Sequence, residues 1–259
     1  MRSGERPQRD VVFSAVVQEE VGGDGAIYWT EHLDYPVELV IVGEPSGNRL
    51  ALGHRGILQV WATFPGRSVH ASAPERGDNP NYALAAFLCR LEASQHNLKS
   101  HPVLGPTTIA PTVIEVDTTS NNVTPAWARV LLDIRSGIES PAGIERFIRK
   151  LAGNSPVQIT YAFGEESASS EDPITGFYTE PEQPVVGRVQ SLLGSGMGHM
   201  PELIRFQFAT DGRHYAVHGL TVLGFAPGEE DLAHTVRESI SLDEMAESLR
   251  GHVALLREF

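Results

Sequence analysis

ILQVWATF (residues 57–64) alternates along its length in the way of a strand with one covered face. The segments after it continue the pattern with helices between. NYALAAFLCRLEAS (81–94) spaces its apolar residues as a helix does, and TTIAPTVIEV (107–116) and ARVLLDIRS (128–136) read as two strands. PAGIERFIRKLAG (141–153) reads as a helix with proline near its start, and VQITYAF (157–163) as a final strand. The order is β-α-β-β-α-β, a ferredoxin-like pattern. It predicts an inserted domain over residues 52–164.

Outside that insert the texture changes. VVFSAVV (11–17), VELVIV (37–42) and LTVLGF (220–225) are apolar without alternation, which suits strands of a parallel sheet covered by helices on both faces. Helical patterns at 185–193 and 242–259 flank the last run, and the acidic GEESASSEDPITGFYTEPEQP (164–184) reads as a surface crossing. The expected fold class is therefore α/β, with residues 1–51 and 165–259 forming one domain around the insert.

Each of the three runs leads to a residue able to bind metal: Glu19 and Glu20, then Glu44, then His234. Ligands of open α/β sheets gather beyond the carboxyl ends of the strands. Neighbouring residues on a strand point to opposite faces, so Glu19 and Glu20 can serve one site only where the chain is already turning. Gly22 and Gly23 permit that turn.

The chain of 259 residues is 41% hydrophobic and 20% charged, an ordinary globular composition, and its formal net charge of -13 argues against a nucleic-acid partner. Its single cysteine, Cys89, cannot form an intrachain disulfide. It falls in an apolar helical pattern, so a buried structural thiol, a reducing compartment and a cytoplasmic location are expected. No apolar run approaches the ~20 residues that span a bilayer, and the N-terminus lacks a signal-peptide pattern, so no membrane association is expected.

QEEVGGDGA, GEPSG, HASAPERGDNP, NNVTPAWARVLLDIR, ATDGRHYAVHG and GEEDLAHTVRESI, in this order, resemble the M20 family of metal-dependent peptidases and deacylases. The resemblance implies a zinc-peptidase-like α/β catalytic domain carrying a ferredoxin-like dimerisation domain. It implies a homodimer, an N-acyl amino acid or small peptide as substrate, and two zinc ions, with cobalt or manganese as alternatives. By motif match Glu19 is the general base, Glu20, Glu44 and His234 are metal ligands, and His70 stabilises the oxyanion. Asn122 and Arg135 match positions that hold the substrate's carbonyl and carboxylate. Thr210, Asp211 and Arg213 lie in a TDGR element of the desuccinylase type, with substrate carboxylate binding as its implied role.

These roles suit the residue types. Zinc takes carboxylate oxygen and imidazole nitrogen, acidifies its bound water and polarises a carbonyl, and an adjacent carboxylate can move the proton. The family pattern also has an upstream His-x-Asp motif and a bridging Asp. Only eighteen residues precede Glu19, and none is histidine. The sequence therefore leads to three expectations: a truncated chain with an incomplete metal site, one half of a split enzyme completed by a separate N-terminal chain, or a catalytically dead dimerising protein. Plainer readings stand beside several residues. Arg135 can simply pair with Asp133 on the same strand face, and His234 can be a surface histidine in an acidic loop. His54, His199, His214 and His218 have no comparable motif support and stay outside the expected site.

Overall fold

The computed structural model describes residues 7–137, 139–163 and 176–259. Its strands in chain order are β1 (Val40–Val42), β2 (Leu50–His54), β3 (Gly56–Pro65), β4 (Ser100–His101), β5 (Gly105–Pro106), β6 (Thr108–Val116), β7 (Trp127–Ser136), β8 (Gln158–Phe163), β9 (Phe177–Tyr178), β10 (Leu203–Phe206) and β11 (Val222–Gly224). The helices are α1 (Asp24–Glu31), α2 (Pro80–Ser94), α3 (Pro141–Ala152), α4 (Pro184–Met197), α5 (Gly212–Val217) and α6 (Leu242–Glu258). These divide into two compact units, one reaching to Arg55 and resuming at Phe177, the other running from Gly56 to Gly176.

The second unit follows from its periodicities. In β3 and β7 alternate residues are buried along the whole length, and the antiparallel register sets Leu58 opposite Ile134, Val60 opposite Leu132, Ala62 opposite Val130 and Phe64 opposite Ala128. Large and small side chains thus face each other across the ladder and share one core. Leu84, Phe87 and Leu91 of α2 and Ile144, Ile148 and Leu151 of α3 complete it. Both helices start as their sequences dictate. Asn79 and Ser140 cap them through Asn81 N–H (3.1 Å) and Gly143 N–H (3.2 Å), each with proline next in line. The sheet order β6-β7-β3-β8 is the ferredoxin-like one.

Cys89 departs from expectation: it is exposed. The buried stripe of α2 runs through Leu84, Phe87 and Leu91, and a residue two positions beyond Phe87 lies about 200° round the helix, away from the sheet.

The first unit holds a sheet of order β1-β11-β2-β10, with β9 added against β2. It is mixed rather than parallel throughout: β1 pairs parallel with β11 and β2 with β10, while β11 meets β2 antiparallel and β9 is antiparallel to β2. The ladders are short because only parts of the apolar runs, Val40–Val42 and Val222–Gly224, are hydrogen-bonded strands. Leu50, Leu52, Leu223 and Phe225 meet Val186, Val189 and Leu193 of α4 and Leu255 of α6 in one core. The two helices cross closely, since a Cβ on Gly196 would stand 2.3 Å from the carbonyl oxygen of Arg250.

The largest correction concerns residues 11–17. They form no strand, and Phe13 is 90% exposed. An extended segment becomes a strand only where a neighbouring strand takes up its N–H and C=O groups, and among the described residues no strand pairs with this run. Of the crossing expected over 164–184, residues 164–175 lie outside the described ones, and the remainder contains β9. No helix among the described residues is long and apolar enough to cross a membrane.

His54 closes β2 and is fully buried. Its Nδ1 lies 2.8 Å from Arg55 O, and its Nε2 accepts Thr210 N–H at 3.0 Å, a pairing that requires the neutral ring. Burial pushes its pKa down to about 4, against the opposing pull of the Arg55 and Thr210 carbonyls. Between the unfolded value near 6.5 and about 4, the unfolded chain holds a proton that the folded chain lacks, so stability falls as pH drops through this window. Urea unfolding from pH 7 to pH 4 checks this: the loss is expected to be shallower in His54→Gln than in the parent, and equal slopes would contradict it.

Candidate functional site

Glu19 and Glu20 lie on a single 3-10 turn, Glu19–Val21, entered through Gln18 in the left-handed region (φ 63°). The N–H groups of Val21 (3.2 Å) and Gly23 (2.8 Å) both return to Gln18 O, so the turn closes on itself. Gly22 (φ 138°) and Gly23 (φ 86°) then reverse the chain into α1, conformations that a side chain would strain. Gly23 is required twice over: a Cβ there would stand 2.3 Å from Asp211 Oδ1 and 2.5 Å from His214 Nε2.

β1 and β11 run parallel, so the chain leaves both from the same edge. Glu44 follows β1 by two residues, in a segment tied to the exit of β11 by the fully buried Ser46, whose hydroxyl lies 3.0 Å from Ala226 O and accepts Ala226 N–H at 3.1 Å. His234 has φ 60° in the loop after Glu230–Leu232, and its Nε2 stands 3.4 Å from Glu20 Oε1 in an exposed pair. The TDGR element opens α5. Thr210 is buried with its hydroxyl accepting Gly212 N–H (3.1 Å), and Arg213 Nη2 donates to Gly22 O (3.2 Å).

These segments, distant in sequence, share one electrostatic field. Burial, then the charges of Glu44, Asp211 and Glu20, raise the carboxyl of Glu19 to about 7, with Arg213 pulling the other way. Glu44 is raised by burial, Asp211 and Glu20, and His234 opposes the shift. Burial also raises Asp211, which is 4% exposed and has no hydrogen-bond partner on either carboxylate oxygen among the described residues. Like charges this close favour a proton or a cation between them. The donor set of carboxylate oxygens and imidazole nitrogen, with a buried carboxylate that makes no hydrogen bond among the described residues beside it, fits zinc, and cobalt and manganese accept the same donors. Among the described residues no three such side chains are already gathered into a ligand set.

In the second unit His70 and Asn122 come together. Val69 and Thr124 exchange hydrogen bonds at 2.9 Å, Ala71 N–H reaches Asn122 O at 2.8 Å, and the two loops are zipped at His70 and Val123. His70 Nδ1 faces Ser72 Oγ (2.7 Å) and accepts Ser72 N–H (3.1 Å), and Nε2 lies 3.5 Å from Asn122 Nδ2. Arg135 pairs within its own strand. Its Nε reaches Asp133 Oδ1 at 2.8 Å, and with Gln59 it holds the Asp133 carboxyl below its usual range although burial acts to raise it.

Three residues escaped sequence reasoning. Ser46 was visible only as part of GEPSG, and His54 only as a histidine ending an apolar segment. His214 has no motif support, because its partner, Gly22, is 192 residues away and leaves no local signal.

The M20 peptidase dimerisation domain matches residues 52–159. Over 98% of its length the chain is 26% identical to succinyl-diaminopimelate desuccinylase 2 of Ruegeria sp., of which it spans 65%. The fold is similar to aminopeptidase PepT of Bacillus cereus (TM-score 0.69, 19% identity, 93% of this chain and 62% of that one). It is also similar to an M20 family metallo-carboxypeptidase of Sulfolobus solfataricus (TM-score 0.62, 18% identity, 90% and 66%). The ferredoxin-like unit falls on the matched segment and the motifs are distributed over both units, and together with the desuccinylase relatives and the similar folds this supports an M20 family metallopeptidase or deacylase.

Proposed function

We propose that this chain is a metal-dependent hydrolase cleaving the amide bond of an N-acyl amino acid or small peptide that bears a free carboxylate. The observation that carries the reading is Glu19: a carboxyl raised to about 7, on one turn with Glu20 and coupled to Glu44 and Asp211. A base that titrates near neutrality can take a proton and return it under working conditions. Burial is the largest cause of the shift.

Glu20, Glu44 and His234 would hold the zinc, which when bound acidifies a water and polarises the amide carbonyl. Glu19 takes the proton from the attacking water, and as the carbon–nitrogen bond breaks the same carboxyl returns that proton to the leaving amine. His70, whose Nε2 lies beside Asn122, is the proposed donor to the developing oxyanion, a role commonly worth about 2.7–4 kcal/mol. Arg135 and Arg213 are the proposed partners of the substrate carboxylate, a planar match that lysine would not reproduce, and Thr210 contributes through the loop it holds. A cytoplasmic location accords with the single cysteine. The comparisons give no support to a separate N-terminal chain.

The dimerisation domain also supports a homodimer. Among the described residues β6 pairs only with β7, on one side, and it presents Val113, Ile114 (59% exposed) and Val116 to solvent. An open edge strand with exposed apolar residues is a ready template for pairing with a second copy.

Two measurements test these proposals. Zinc-loaded protein assayed on a panel of N-succinyl and N-acetyl amino acids and dipeptides is expected to turn over at least one class. Glu19→Gln should lower kcat by about 10²–10⁴-fold with little change in KM. Absence of turnover across the panel would favour the catalytically dead reading. In sedimentation velocity the parent chain should run as a dimer and Ile114→Lys should shift towards monomer. A monomeric parent would contradict the edge-strand dimer.

A further inference from the structure

His214 stands apart from every role assigned so far. It lies in the first turn of α5, its side chain is 11% exposed, and its Nε2 is 2.9 Å from the carbonyl oxygen of Gly22. Gly22 immediately follows the turn that carries Glu19 and Glu20. Arg213 Nη2 reaches the same oxygen at 3.2 Å, so this one carbonyl receives two side chains from the start of α5. Arg213 Nε lies 3.1 Å from the ring nitrogen itself. A nitrogen cannot donate to the carbonyl and accept from the guanidinium with the same site, and the shorter contact faces an oxygen that can only accept. The ring therefore donates. On the other side, the bare Cα of Gly23 leaves room for Asp211 Oδ1 and His214 Nε2 where a Cβ would collide with both.

We infer that His214 is a positioning residue: with the close approach at Gly23 it seats the Glu19–Glu20 turn on α5, fixing where the proposed base and metal ligand stand. The inference rests on the functional reading above only for the consequence, because the seat itself is a contact within the chain. The turn needs such a seat. It lies between residues 11–17, which belong to no sheet, and α1, and its internal bonds return to Val17, Gln18 and Glu19 of the same segment. Nothing in those bonds fixes the turn against the sheet. His214 and Arg213 supply the tie.

Hydrogen exchange by mass spectrometry on the metal-free full chain tests the seat directly. The Val21, Gly23 and Gly25 amides are hydrogen-bonded within the turn and report on it. His214→Phe keeps the ring and removes the donor, and should speed exchange over residues 17–27 about tenfold while leaving α6 unchanged. His214→Gln places an amide nitrogen near the position of Nε2 and should restore protection to within about twofold. Gly23→Ala should behave as His214→Phe does. Equal protection in His214→Phe and the parent, or equally fast exchange in the Phe and Gln variants, would overturn the inference. Competition with a chromophoric chelator then reads the consequence: the zinc Kd should rise about tenfold in His214→Phe and recover in His214→Gln. If the parent binds no zinc, the functional reading fails while the exchange result still decides the seat. If the parent binds zinc and His214→Phe binds it equally well, the positioning role is overturned.

Discussion

Carboxylates held close together in a half-buried place repel one another, and the layout of the first unit is organised around that repulsion. Glu19, Glu20, Glu44 and Asp211 come from three separate stretches of chain, and Glu19 and Glu44 are both raised in pKa, by burial first and then by the neighbouring carboxylates. A fold that served only stability would spread these charges over the surface, where water screens them at little cost. Here the turn after Gln18, the exit of β1 and the start of α5 bring them together instead, and Asp211 is buried without a hydrogen bond on either oxygen among the described residues. A site that gathers negative charge against its own electrostatics is one that a cation completes.

The scaffold around the cluster is made from contacts with little chemistry of their own. Ser46 ties the exits of β1 and β11, His54 holds the Thr210 amide, and Gly23 makes room for Asp211 and His214. Each removes a degree of freedom from one of the charged segments. In the second unit the same principle appears in a different form, where two loops zipped by backbone hydrogen bonds set His70 beside Asn122. Catalytic geometry of this kind depends on such support, because a displacement of about 1 Å can cost two orders of magnitude in rate.

The second unit was the more legible in the sequence, since alternation in 57–64 and 128–136 and helical spacing in 81–94 and 141–153 report burial directly. Where periodicity fell silent the reading failed. An unbroken apolar run such as 11–17 announces hydrophobicity but not the neighbour that would make it a strand, and the direction of β2 against β11 leaves no trace in composition. Cys89 shows the limit of a helical pattern read without its phase: the helix is present, and the thiol faces outward. In the site, Glu19, Glu20, Glu44 and His234 were visible as motif residues. His214 and His54 were not, because their partners lie 192 and 156 residues away. Arg135 pairs with Asp133, the partner two residues away that shares its strand face.

The central claim, that the carboxylate cluster is a cation site, is tested most directly by calorimetric titration of zinc into chelator-stripped protein, repeated with Glu20→Ala and Glu44→Ala. The account predicts saturable binding accompanied by proton release, as raised carboxyls give up their protons to the metal, and loss of that binding in both variants. Binding unchanged in the variants, or none in the parent, would contradict it.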